Sequence, residues 1–249
     1  MASSDRVAAA LPTVERQLAA DHESVQEEGI TKLKQLALQC EVLPAVLPLL
    51  PRLVELLRSA SSAVRTASAA AVAAIALTPE GQAVLERQEN LLLNLVASVA
   101  EGWSSPAAQP AACSLMNIAA SQSGKAAIRS AEGLKALMTI VEECVAPLEK
   151  ELVQARRTSV MAASSDGQRS SVSSSSSSNP KAATCSCALG VLMNLLGDAQ
   201  SCNAMEQSGL AAVLEKLQMM APVDEALAHR ATYIMSKIDP TSREPIATF

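Results

Sequence analysis

The residues of this chain with types suited to chemistry are few and scattered. Its two histidines stand alone: His22 lies between Asp21 and Glu23 at a helix start, and His229 precedes Arg230 on a helix near the C-terminus. A general base needs a reacting proton or nucleophile within hydrogen-bond reach, and these spacings predict a solvated capping segment and a surface residue instead. The acid pairs Glu27-Glu28 and Glu142-Glu143 are adjacent in sequence, so on a helix they diverge rather than converge on a proton or a metal. No phosphate-cradling glycine loop, GxSxG elbow or HExxH motif occurs. The reading that follows is non-catalytic: no cofactor, no metal and no small-molecule substrate.

Sulfur and phosphate chemistry remain. The six cysteines, at 40, 113, 144, 185, 187 and 202, fall in or beside helical patterns. A free cysteine is a small, readily buried residue, and Cys185-Ser-Cys187 lacks the two-residue spacing of a zinc or redox pair. All six are therefore expected as packed thiols. Arg156-Arg157-Thr158-Ser159-Val160 resembles a site for basophilic protein kinases, with Ser159 as the phosphorylation candidate. A phosphate there would sit beside two guanidinium groups and draw that end of the segment back through charge-assisted hydrogen bonds.

The elements holding these residues are set by composition. About half of the 249 residues are apolar, but they are mostly Ala, Leu and Val, and Trp103, Tyr233 and Phe249 are the only aromatics. Ala and Leu are the strongest helix formers, whereas strands draw on β-branched and aromatic residues, so the chain is expected to be all-α. The net charge is −5 with no long Lys/Arg cluster, which disfavours nucleic acid because binding needs a basic footprint. The most apolar run, Val42 to Leu57, is broken by Pro44, Pro48, Pro51 and Arg52 and falls short of the roughly 20 residues of a membrane span. The N-terminal MASSDRVAAALP has no signal-peptide core. The expected setting is soluble and cytoplasmic, with no membrane partner.

Self-similarity organises the rest. Five helices show an apolar or small residue near their start and an Ile or Leu eleven positions on: Val25…Leu36, Val64…Ile75, Ala107…Ile118, Thr184…Leu195 and Leu227…Ile238. The steps between them are 39, 43, 77 and 43 residues, a period of about 40 with one long insertion, which belongs to two- or three-helix solenoids. Between these helices the chain repeats a breaker, a short helix, a second breaker and an apolar helix. Thr78-Pro79-Glu80-Gly81, Ser123-Gly124 and Gly197-Asp198 are the first breakers. Gly133 and Gly209 fit the second, a sharp turn that tolerates positive φ, with Asn90 near the equivalent place.

Gly133-Leu-Lys-Ala-Leu-Met-Thr-Ile-Val141 and Leu115-Met-Asn-Ile-Ala119, with Leu192–Leu196, Gly209–Leu217 and Leu49–Leu57, resemble the second and third helices of the armadillo repeat; HEAT-like solenoids are the second choice. The resemblance implies a right-handed α-solenoid of about four three-helix repeats. Residues 1–38 would form N-terminal capping helices, 39–238 the repeats, and 239–249 a tail. A Ser-rich loop at 158–180, with eleven serines, interrupts the third repeat; it has almost nothing to bury and is expected to be disordered. Pro147 is expected to kink or interrupt the helix leading into it.

In the armadillo family the third helices line a concave groove, and a terminal Asn bonds the backbone of an extended ligand. That role maps onto Asn117 and Asn194; the corresponding positions elsewhere hold Gln35, Ala74 and Lys237. Four residues earlier, where the family's peptide carriers place Trp, stand Thr31, Ala70, Cys113, Gly190 and Tyr233. The resemblance thus implies a protein-binding adaptor or scaffold, with Asn117, Asn194, Tyr233 and Lys237 as groove candidates for a partner protein or extended peptide. The alternatives are an armadillo-type chaperone cofactor that promotes nucleotide exchange, or a component of a microtubule-based or ciliary assembly.

Overall fold

The computed structural model describes residues 3–39, 42–88, 90–163, 180–221 and 224–238, and all regular structure in them is helical. The chain begins with α1 (Ser3–Leu18), α2 (Glu23–Ala37) and α3 (Leu43–Val46), then a 3-10 turn over Leu47–Leu49 and α4 (Leu50–Leu56). Next come α5 (Ser62–Ile75), α6 (Pro79–Leu85), α7 (Leu91–Ala100), α8 (Ala108–Ile118) and α9 (Gln122–Ser130). The last part holds α10 (Gly133–Ala163), α11 (Pro180–Leu195), α12 (Ala199–Gln207), α13 (Leu210–Gln218) and α14 (Glu225–Ile238). None of the helices searched among the described residues is long and apolar enough to cross a membrane.

Two rows of helices make an all-α solenoid. One row runs α2, α5, α8, α11, α14, each packed on the next; behind it α7, α10 and α13 pack in sequence. The recurring anchors seat the first row: Ile75, Ile118, Leu195 and Ile238 are buried, as are Val64, Ala107, Thr184 and Leu227 one face earlier. Burying each large aliphatic side chain favours the stack by about 1.5–3 kcal/mol. Leu36 and Val25, in the first member of the row, are only half-buried.

The prolines of the Val42–Leu57 run explain its segmentation. Pro44, Pro48 and Pro51 each occupy the first turn of a short piece, where a missing N–H costs nothing and φ is already helical. The short helices α6, α9 and α12 share another start signal. Thr78, Ser121 and Asp198 cap them by accepting from the backbone N–H three residues on, at Gly81, Gly124 and Ser201.

The turns into the second-row helices differ from expectation at one place. Gly209 (φ 79°) and Asn90 (φ 61°) take the left-handed conformation, but in the third repeat Glu132 (φ 56°) takes it, not Gly133. Gly133 is needed for space: a Cβ there would press on the carbonyl and side chain of Ile128.

Two expectations about the insertion also change. Pro147 lies inside α10 without interrupting it, and the helix runs on to Ala163, into the stretch expected to be a loop. Gln-Ala-Arg-Arg and Met-Ala-Ala are good helix formers, and Pro180 opens α11 as a first-turn proline. Residues 164–179, the side chain of Ser159 and the tail at 239–249 lie outside the described residues.

Candidate partner-binding groove

The exposed face of the α2–α5–α8 part of the first row encloses a depression of about 460 Å³. Leu38, Leu77, Ala70, Ala73, Pro110 and Asn117 are among its walls. Leu38 and Leu77 remain 55% and 61% exposed, so two large apolar side chains flank a floor of small residues. Both follow the groove positions Gln35 and Ala74 by three residues, the same register. Sequence reasoning centred the site between Asn117 and Asn194; the depression instead lies on the α2 side of Asn117.

Asn117 and Asn194 each reach back one repeat. Asn117 Nδ2 donates to the Ala73 carbonyl at 3.1 Å, and Asn194 Nδ2 donates to the Met116 carbonyl at 2.9 Å. Those carbonyls belong to last helical turns: the nearby amides of Leu77 and Ala120 bond Ala74 and Asn117 instead. Such orphan acceptors need a partner. Among the described residues, neither Asn Oδ1 accepts a hydrogen bond.

Other side chains bridge repeats in the same direction. Ser114 Oγ donates to the Ala69 carbonyl at 2.9 Å, Arg230 to the Ser186 carbonyl at 2.7 Å, and Asn94 Nδ2 to the Val54 carbonyl at 3.1 Å. The sequence reading missed this set, although its donors and acceptors lie 40 to 45 residues apart, about one repeat.

Tyr233 and Lys237 are brought together on α14, at the far end of the row. Tyr233 is 48% exposed, and Lys237 Nζ stands 5.9 Å from its ring centroid, a weak cation–π contact. At the position matching a family Trp, Gly190 has no room: a Cβ would meet Met116 Sδ and the Arg230 guanidinium.

Lys34 of α2 lines the depression, and the helices beyond α2 present little charge. Helix α8 has no charged residue. The one charge of α5, Arg65, is bound to the carbonyls of Ser59 and Ala60 and to Glu101. The one charge of α11, Lys181, stands 5.0 Å above the Trp103 ring. His229 is a surface residue, 77% exposed beside Glu225.

The cysteines divide. Cys144 and Cys185 are buried thiols; the hydrogen bond that the Cys185 thiol donates to Cys144, and then burial, push the Cys185 thiol well above the usual range. Cys202 donates to the Leu196 carbonyl at 3.0 Å. Cys113 and Cys187, both half-buried, break the expectation of packed thiols: they are joined as a disulfide between α8 and α11, with Cα atoms 5.3 Å apart. The pairing was not visible in sequence because its members lie 74 residues apart, across the insertion.

On the flank, Arg129 of α9 pairs with Asp198, which also caps α12. Hydrogen bonds from Ser201, then from Arg129, hold the Asp198 carboxyl down at about 2.

Neither a family model nor a curated protein matches the sequence. Solved structures do match the fold. A designed armadillo repeat protein, YIII(Dq)4CqI, superposes with a TM-score of 0.52 at 20% identity, over 92% of this chain and all of that one. A second, YIII(Dq.V1)4CPAF in complex with peptide (KR)4, gives 0.55 at 21% identity, over 92% and 99%. A third structure, described as "A conserved phosphorylation switch controls the interaction between cadherin and beta-catenin in vitro and in vivo", gives 0.64 at 14% identity, over 93% of this chain and 38% of that one. The chain therefore has an armadillo-like repeat fold.

Proposed function

We propose that the chain is a non-catalytic protein-interaction module whose first-row groove takes an extended segment of a partner protein. One observation carries the reading: three consecutive repeats leave an open 460 Å³ depression with Leu38 and Leu77 exposed along it. Large exposed apolar side chains around a concavity mark interaction sites. Asn117 and Asn194, with one amide oxygen each unspent, supply polar contacts to the ligand's main chain, and Tyr233 and Lys237 extend the track on α14.

Charge sets the ligand class. One designed neighbour was solved with the basic peptide (KR)4, but here α5, α8 and α11 offer it no acidic residue. Lys34 is the charged residue among the lining, so the matching ligand has apolar, non-basic side chains spaced along an extended backbone.

Display selection of random extended peptides against the purified chain tests this. Apolar peptides should be enriched, and Leu77→Asp should abolish their binding while leaving the far-ultraviolet circular dichroism unchanged. Asn117→Ala/Asn194→Ala should weaken a peptide that bonds both residues about 30-fold, as expected for two hydrogen bonds of about 1 kcal/mol each. Selected peptides that bind the Leu77→Asp variant as well as wild type would overturn the groove assignment.

A further inference from the structure

The Cys113–Cys187 pair stands where the groove reading needs the two central helices held together. Gly190 lets α11 close on Met116 of α8, and Asn194 Nδ2 bonds the Met116 carbonyl on the same side. This approach brings the Cα atoms of Cys113 and Cys187 to 5.3 Å, within the span that a disulfide bridges without moving backbone. Cys113 also lines the 460 Å³ depression, so the bond forms part of the wall that a ligand would meet.

Accessibility separates this pair from its neighbour. Cys144 of α10 and Cys185 of α11 also approach each other, but both are fully buried. A small disulfide reagent cannot reach them in the folded state. Cys113 and Cys187 are half-buried on an open face. Positions 185 and 187 lie about 200° apart around a helix, so α11 turns Cys185 to the core and Cys187 toward Cys113 of α8.

We infer that Cys113 and Cys187 form a reversible thiol–disulfide latch between α8 and α11 at the α8 wall of the groove, closed by a low-molecular-weight disulfide of the glutathione class and opened by the corresponding thiol. In closing, the thiolate of one cysteine attacks a sulfur of the reagent, breaking its S–S bond and releasing one thiolate. The second cysteine thiolate then attacks the protein-bound sulfur of that mixed disulfide and releases the other. The cysteines lose two electrons, the reagent gains them, and the two protons leave with the two released thiols. Opening is the reverse. The consequence for a ligand rests on the groove reading, but the exchange chemistry does not.

The test uses the full chain equilibrated in buffers of graded reduced and oxidised glutathione, then acid-quenched, alkylated, digested and read by mass spectrometry. The expected result is one cross-linked species, Cys113 to Cys187, that appears as the oxidised fraction rises and disappears on return to reduced glutathione. Cys144 and Cys185 should alkylate only after unfolding. The oxidised chain should melt at least about 5 °C above the reduced one, since a cross-link closing a long loop stabilises a domain of this size by that order. Cys187→Ser should melt at one temperature in both buffers.

Alkylation of Cys113 and Cys187 as separate thiols at every ratio would overturn the latch. So would a cross-link of other connectivity, or one that reduced glutathione fails to open. Because no partner enters these measurements, a failed peptide selection leaves the latch standing, and failure of the latch leaves the groove standing.

Discussion

Replacing Asn117 by alanine removes the donor to the Ala73 carbonyl and strands that acceptor in a half-buried seam between repeats. The expected cost is about 1 kcal/mol in chemical denaturation, whether or not a ligand is present. Asn117→Asp should cost more, because a carboxylate oxygen would then face the carbonyl. The same variants thus report two roles, and only the ligand-dependent part bears on the groove. Asp198 offers a pH readout at the same scale. Its folded-state value is depressed to about 2 from 3.8, so its contribution is fully present above about pH 4 and is lost as pH falls through about 2. Wild type should therefore lose stability across that window. Asp198→Asn keeps an acceptor for the Ser201 N–H but not the charge facing Arg129, and its acid limb should be flatter. Equal slopes in the two proteins would show that ionised Asp198, with its Ser201 and Arg129 bonds, contributes nothing.

Helix starts and ends explain what the sequence revealed and what it hid. The eleven-residue spacing from Val64 to Ile75 and its copies was legible because both ends are buried apolar residues, which periodicity reports directly. The cap pairs Thr78–Gly81, Ser121–Gly124 and Asp198–Ser201 were equally readable as an acceptor followed by a residue three positions on, yet Thr78 and Asp198 drew notice only as parts of breakers and Ser121 drew none. What stayed hidden depends on two elements meeting. A Cβ on Gly81 or Gly124 would sit inside contact distance of the Ile75 or Ile118 carbonyl, and only the packed structure places that carbonyl there. Gly124→Ala should accordingly destabilise by more than about 2 kcal/mol, the scale of overpacking a tight core contact. Gly209→Ala meets nothing within 4 Å but keeps φ at 79°, so it should cost about 1 kcal/mol of backbone strain. If the two cost the same in denaturant titrations, the close approach of α9 to α8 is wrong.

Across the whole molecule, the distribution of charge separates groove binding from loose attraction. The chain carries a net charge of −5, enough to draw a basic peptide to its surface without any specific site. The central helices of the groove direct no acidic side chain at a ligand, since α8 is uncharged and the lone cations of α5 and α11 are bound elsewhere. Attraction to the periphery weakens as salt shortens the Debye length from about 10 Å at 0.1 M to about 3 Å at 1 M, whereas apolar burial does not. A selected apolar peptide should therefore hold its affinity within about threefold between 0.1 and 1 M sodium chloride. The peptide (KR)4 should bind weakly at low salt and be lost at high salt. Isothermal titration at the two salt concentrations, repeated with Leu77→Asp, makes the comparison. Salt-insensitive binding that depends on Leu77 identifies the depression between α2 and α8 as the contact surface. Salt-sensitive binding that ignores Leu77 assigns the interaction to the acidic exterior and removes the groove from it.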